Sequence, residues 1–326
     1  MIQILLIGLG AGAASALLFV SVASGALTSL LLTIFAQLPI LIAAIGWTHL
    51  AGLAGVLVAS AGLTLVLGGA VGFLFLITVG LPAWWIGYLV LLARPAAGAE
   101  PGAMEWYPVG RIVAWTAIAA GTIVFVSLLR YGTDIASVRT GLRREIDLFS
   151  RALIALQIRG FSDPERTKDA LVLIVPGMKA VGLTLISLTN VWLAALAVKV
   201  SGRLRRPWPA IAQMSFPPFA PMVLVAAVAA TFLPELIGLA GSVFTASLLL
   251  AYALLGLAVV HVVTRGIAGR GVMLTCLYIF VMLFSWPLLL VMSLLGLIET
   301  VLALRARVAA RRPPPLPPPP GSINRP

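Results

Sequence analysis

The first 93 residues contain no Asp, Glu, Lys or Arg, and Arg94 is the first charged side chain. Soluble proteins carry about 25% charged residues, whereas this chain carries 10%, with 61% hydrophobic residues. In hydrocarbon every backbone N–H and C=O must be paired inside the protein, which leaves helices or a closed barrel. The apolar runs are long and lack the alternation of barrel strands. The sequence therefore predicts an all-α, polytopic transmembrane helix bundle.

The apolar runs also predict the number of crossings. A spanning helix needs about 20 apolar residues. Runs of that kind lie at 3–23, 27–46, 49–67, 71–93, 110–130, 170–199, 220–238, 241–264 and 272–304. The last is long for one crossing, and Pro287 either kinks one helix or marks the turn between two, so we predict about 8–10 spans.

Residues 131–169 differ from the rest because charges of both signs are frequent there. Apolar residues recur every three or four positions, which predicts an amphipathic helix that lies in the membrane interface or caps the bundle. These residues are Ile135, Val138, Leu142, Ile146, Phe149, Leu153 and Leu156. The segment separates an N-terminal membrane bundle (1–130) from a C-terminal one (170–304). A basic, proline-rich tail follows at 305–326 and is expected to be disordered.

The net charge of +12 points in a membrane protein to Lys and Arg in cytoplasmic loops. The sequence has no soluble basic module interleaved with aromatic residues, so we expect no nucleic-acid partner. We predict a lipid bilayer environment, the bacterial inner (cytoplasmic) membrane, with the C-terminal tail in the cytoplasm. The side of the N-terminus stays open, because it depends on whether 272–304 crosses once or twice.

Small residues recur every four positions in the first span, at Gly8, Gly12 and Ala16. Such spacing lets two helix backbones approach closely in a membrane. It predicts helix packing, either against another helix of this chain or against a partner membrane protein.

Polar residues inside apolar spans are functional candidates, because they are unfavourable in hydrocarbon. We select His49, Lys179, Asn190 and Glu299 as candidates for a polar pocket. Glu235 is a weaker candidate, since it falls in a predicted turn. Two distant histidines and one cysteine, Cys276, do not form a metal site. No catalytic constellation is apparent, so we predict no enzyme activity, no cofactor and no metal.

Several segments together resemble the YybS-like family of bacterial membrane proteins, and especially its alphaproteobacterial branch. They are QLPILIAAIGWTHLAG, LPAWWIGYLVLLARP with EWYPVGR, NVWLAALAVKVSGRLRRPWP, LLAYALLGLAVVHVVTRG and SWPLLLVMSLLGLIETVLALRAR. The resemblance implies a multi-pass membrane protein with no settled activity. The N-terminal half also resembles the substrate-binding subunits of energy-coupling-factor transporters, in which the first helix packs on a partner through small residues. The insertion at 131–169 departs from that pattern.

These observations favour a transport-related subunit that binds a small organic solute between helices. The alternative is a non-transporting membrane scaffold or envelope-biogenesis partner, suggested by the amphipathic segment and the proline-rich tail. A membrane enzyme ranks third.

Overall fold

The computed structural model describes residues 1–24, 27–96, 102–155, 164–283 and 285–310. Within these residues six helices are long and apolar enough to cross a membrane, and four apolar helices are shorter. The six cover Ile2–Ala23, His49–Leu67, Gly69–Leu91, Val109–Tyr131, Thr167–Val200 and Glu235–Val263. The chain is a multi-pass membrane protein of the all-α class, and the predicted fold class is confirmed.

The described residues up to Leu128 form seven α-helices and one hairpin. The helices are α1 (Ile2–Val20), α2 (Leu27–Ile34), α3 (Leu38–Gly46), α4 (His49–Leu67), α5 (Gly69–Phe75), α6 (Leu81–Leu91) and α7 (Val109–Leu128), with a π-helical turn at Leu76–Gly80 that joins α5 to α6. Strands β1 (Ala93–Pro95) and β2 (Met104–Trp106) pair antiparallel in the connection between α6 and α7.

The described residues from Ile135 onward form seven further α-helices. They are α8 (Ile135–Ala155), α9 (Pro164–Val200), α10 (Ala220–Thr231), α11 (Glu235–Val263), α12 (Arg270–Leu283), α13 (Ser285–Leu302) and α14 (Leu304–Ala310). Helix α14 occupies the start of the segment predicted as a disordered tail, and residues 311–326 lie outside the described residues.

The predicted single span at 27–46 is wrong, because the chain breaks there into α2 and α3. Pro39 lies in the first turn of α3 and has no N–H to donate to Phe35. Proline is tolerated at a helix start and not in its interior. Leu38 N therefore donates to Phe35 O at 2.9 Å, in place of the helical acceptor Ile34 O.

Two further predicted boundaries differ from the structure. Helix α10 has 12 residues, so it is about 18 Å long and shorter than a hydrocarbon core of about 30 Å. The turn that follows lies at 232–234, earlier than predicted, and α11 takes up 29 residues. The predicted long segment at 272–304 consists of two helices, α12 and α13, with only position 284 between them.

Helices α1 and α4 cross at small residues. A Cβ added to Gly8 would lie 2.6 Å from Ala54 Cβ, and one added to Gly12 would lie 2.5 Å from Gly55 O. Ala16 packs against the adjoining apolar core. The spacing at Gly8, Gly12 and Ala16 thus serves packing within this chain.

Helix α8 packs onto the bundle with part of its apolar face. Val138, Leu142 and Ile146 are buried in a cluster with residues of α7, α9 and α11. Leu148 and Phe149 are exposed instead, at 68% and 66%. One edge of the apolar face is therefore uncovered, as expected of a helix that contacts both protein and lipid.

The chain divides into two compact units, Met1–Ala251 and Tyr252–Pro326. Helices α1 to α10 and the first half of α11 belong to the first unit. In the described residues of the second unit, α11 and α13 cross at glycines: a Cβ on Gly256 would overlap Met292 O, and one on Gly296 would overlap Tyr252 O.

We expect Gly12→Ala to lower the free energy of unfolding by about 1–3 kcal/mol, because the new methyl group overpacks the α1–α4 crossing. Gly10→Ala is the matched control, since no atom lies within 4 Å of a Cβ at that position. Thermal unfolding in detergent checks both. Equal melting temperatures for the two variants would contradict the observed crossing.

Candidate functional site

A cavity of about 470 Å³ lies between α8, α9 and the turn that joins α10 to α11. Its volume falls within the range of small-molecule sites, about 300–1,000 Å³. Eight of the thirteen lining residues are apolar, and they come from α8, α9, the turn and α11: Ile135, Val138, Leu142, Val172, Leu173, Leu233, Pro234 and Leu239. The cavity belongs entirely to the first unit of the chain.

Two opposite charges line this cavity, Arg139 from α8 and Glu235 from the start of α11. Among the described residues neither forms an ion pair. Thr231 and Ser242 add hydroxyl groups to the lining. The cavity therefore combines apolar walls with groups that recognise both an anion and a cation.

Glu235 has a backbone φ of 61°, in the left-handed region that residues other than glycine rarely adopt. The tight turn also requires Gly238, because a Cβ there would overlap Leu233 O. Strained backbone of this kind is held in place by its surroundings and is frequent at functional sites. Here it fixes the backbone of residue 235 at the edge of the cavity.

Ion pairs attach α8 to α9 beside the cavity. Lys179 Nζ donates to Glu145 Oε1 at 2.6 Å, and Tyr131 Oη donates to Glu145 Oε2 at 2.5 Å. Further along the two helices Lys168 pairs with Asp147 at 2.8 Å, and Arg143 pairs with Asp169. Lys179, predicted as a polar pocket residue, thus anchors the amphipathic helix.

The surroundings of Glu145 favour its ionised form. Partial burial by itself would raise the pKa of Glu145, but the hydrogen bonds from Lys179 and Tyr131, with the charges of Lys179 and Arg130, outweigh it. The pKa of this carboxyl therefore lies below its ordinary value. The attachment of α8 depends on that negative charge.

A second polar site surrounds the break between α2 and α3. Asn190 of α9 donates from Nδ2 to Ile34 O at 2.8 Å, the carbonyl that Leu38 no longer reaches. Ser15 of α1 donates to Ala36 O. Two other helices thus satisfy the carbonyl groups that the break releases, as a membrane interior requires.

The carboxamide orientation of Asn190 follows from its partners. Its Nδ2 donates both to Ile34 O and to Ile186 O, each at 2.8 Å. Because both partners are acceptors, the nitrogen must face them and Oδ1 must face the other way. Asn190 is 0% exposed and Oδ1 has no donor in the described structure. A buried acceptor without a donor destabilises a protein by about 1–3 kcal/mol.

Gln37 lies in the same turn, is 3% exposed, and its Oε1 also has no donor in the described structure. The sequence analysis missed this residue. The sequence does contain a signal for Gln37, since it carries an amide side chain two positions before Pro39 in a segment without charges. That proline starts a new helix, so an amide just before it lies in a turn.

The other two predicted pocket residues serve elsewhere. His49 follows the N-cap residue Thr48, and its ring packs edge-on against Tyr88 with centroids 5.4 Å apart, beside the aromatic pair Trp84 and Trp85. Glu299 is 7% exposed and accepts from Arg305 Nε at 2.8 Å, in the second unit. None of His49, Lys179, Asn190 and Glu299 lines the cavity.

A buried arginine joins the hairpin end of the bundle to the loop after α9. Arg206 is 8% exposed and donates to Tyr107 O at 2.8 Å and to Val90 O at 3.3 Å. Burial lowers the pKa of its guanidinium. Two backbone carbonyls thus hold this cation and attach the loop to α6 and to the segment before α7.

No group of three or more His, Cys, Asp or Glu side chains in the described residues could hold a metal ion. Comparison with known protein families, with curated proteins and with solved structures finds no match to this chain. The family resemblance of the sequence stays a hypothesis, and the function is argued from the residues.

We expect Glu145→Gln to loosen α8 from α9 by about 1 kcal/mol, since the pair is partly exposed and screened. Hydrogen exchange of the α8 amides measures the change. In the unmodified protein the stabilisation from Glu145 is present above the ordinary carboxyl pKa and is lost as the pH falls through its lowered folded-state value. The variant should lose the part of this pH dependence that Glu145 contributes, while Asp147, paired with Lys168, keeps its own.

Glu105→Gln is the matched control for that experiment. Glu105 pairs with Arg94 in the β1–β2 hairpin, where both side chains are largely exposed. If this control speeds exchange in α8 as much as Glu145→Gln does, the assigned role of the Lys179–Glu145 pair is wrong.

Proposed function

We propose that this protein is a transport-related, non-enzymatic membrane subunit that binds a small organic solute. The observation that carries the proposal is the 470 Å³ cavity between α8, α9 and the α10–α11 turn. Solute sites in membrane proteins lie between helices, where irregular backbone lines a cavity. The strained turn at Glu235 supplies such backbone.

The lining favours an amphipathic zwitterion as the solute class. Arg139 suits a carboxylate or phosphate group and Glu235 suits an ammonium group, while the apolar walls suit a hydrocarbon or aromatic body. The two charges come from different helices, so a solute that pairs with both would hold α8 against α11.

The mobile element in this proposal is α8. Its contacts with α9 include ion pairs at a partly exposed surface, and these are individually weak. Its apolar face forms one wall of the cavity through Val138 and Leu142. Movement of α8 away from α9 would open the cavity without unfolding the bundle.

We further propose that the protein lies in the bacterial inner membrane with its tail in the cytoplasm. The arginines at 305, 307, 311 and 312, at the start of the tail, support this orientation. The resemblance to the YybS-like family supports the same compartment.

The proposal is tested by thermal unfolding of the purified protein in detergent, with a panel of vitamins, amino acids and other zwitterionic metabolites. A ligand at 100 times its Kd stabilises by about 2.7 kcal/mol. We expect at least one such solute to raise the melting temperature. Arg139→Gln and Glu235→Gln should each weaken its binding about tenfold, since each removes a charged partner.

Arg144→Gln is the matched control, because Arg144 is an exposed arginine of the same helix that does not line the cavity. A panel without any stabilising solute, and a preparation without a co-purified small molecule, would count against solute binding. Those results would favour the scaffold alternative, for which the uncovered apolar edge of α8 at Leu148 and Phe149 is the supporting observation.

A further inference from the structure

The break between α2 and α3 has more hydrogen-bond acceptors than donors. The carbonyl groups of Ile34 and Ala36 are released from helical bonding, and each receives one side-chain donor. A carbonyl oxygen has two lone pairs, so each keeps capacity for a further partner. The side-chain oxygens of Gln37 and Asn190 receive no donor in the described structure.

The chemistry of the surroundings selects the kind of partner. Uncharged oxygen atoms in a buried site attract a cation or a group that donates hydrogen bonds, and they repel an anion. Helix α2 ends at Ile34, and the C-terminal end of a helix carries a partial negative charge. Broken helices in membrane bundles bind small cations through released carbonyl groups in this way.

A divalent metal fits this site poorly. Mg²⁺ and Ca²⁺ sites use carboxylate ligands, and the residues that meet at the break are Ser15, Gln37 and Asn190, all uncharged. A monovalent cation needs less charge compensation and is bound elsewhere by carbonyl oxygens alone.

We propose that the turn between α2 and α3 binds a dehydrated monovalent cation, with Gln37 Oε1 and the carbonyl oxygens of Ile34 and Ala36 as the candidate ligands. The site lies apart from the solute cavity, because none of these residues lines it. The inference therefore stands independently of the proposed function.

Occupation of the site would tie three helices together. Asn190 belongs to α9, Gln37 to the turn itself, and Ser15 of α1 already bonds to Ala36. A cation that binds only the folded arrangement stabilises it by mass action. The protein would then unfold at a higher temperature in one salt than in another of equal ionic strength.

The test uses the full chain in detergent, unfolded by heat in choline chloride that is replaced stepwise by sodium, potassium, ammonium or methylammonium chloride. We expect a saturable rise in melting temperature with at least one of the small cations. Gln37→Leu should raise the concentration at half-saturation about tenfold or more, because a buried ligand to a charge is lost. Gln37→Asn, which keeps the amide but shortens the side chain, is the second variant and should also weaken the response.

Thr184→Val is the matched control. Thr184 is a fully buried polar residue of α9 like Asn190, but its hydroxyl donates to Ala180 O of its own helix. This variant should keep the half-saturation concentration of the unmodified protein.

Equal melting temperatures in all five chlorides would overturn the proposal and indicate that water fills the turn. A cation response that Gln37→Leu and Gln37→Asn leave unchanged would overturn it too. A response to methylammonium but to no inorganic cation would support the site and assign it to the ammonium group of an organic molecule.

Discussion

The absence of water from the membrane interior is the constraint on which the structure depends. Every backbone carbonyl there needs a donor from the protein, so each interruption of a helix must be compensated by another element. The break before Pro39 shows this: Asn190 and Ser15 reach across from α9 and α1 to the released carbonyl groups. Asn190 and Ser15 thus lie where the interrupted backbone requires donors.

The same solvent explains why glycines determine which helices meet. Lipid is as apolar as leucine, so helices associate through close packing more than through the hydrophobic effect. Gly8 and Gly12 permit α1 to contact α4, and Gly256 and Gly296 do the same for α11 and α13. Large apolar side chains such as Leu65 and Val66 remain exposed, which lipid tolerates and water would not.

The proposed solute cavity and the proposed cation site differ in physical character. The cavity is bounded by α8, whose ion pairs are partly exposed and sensitive to charge, and by the strained turn at Glu235. The proposed cation site has neutral ligands, and the Gln37 side chain among them is buried. The first arrangement permits movement of one helix, whereas the second favours a fixed bundle, since buried polar networks rigidify a core once they are satisfied.

The sequence by itself determined the fold class, because 93 residues without a formal charge exclude an aqueous surface. It also predicted the amphipathic segment and selected Asn190 as a polar candidate. Only the tertiary structure decided what each polar residue contacts, such as Lys179 with Glu145, 34 positions apart. It alone showed the cavity and the role of Gln37, because helix–helix contacts depend on crossing geometry, and residue spacing along one helix carries no information about its neighbour.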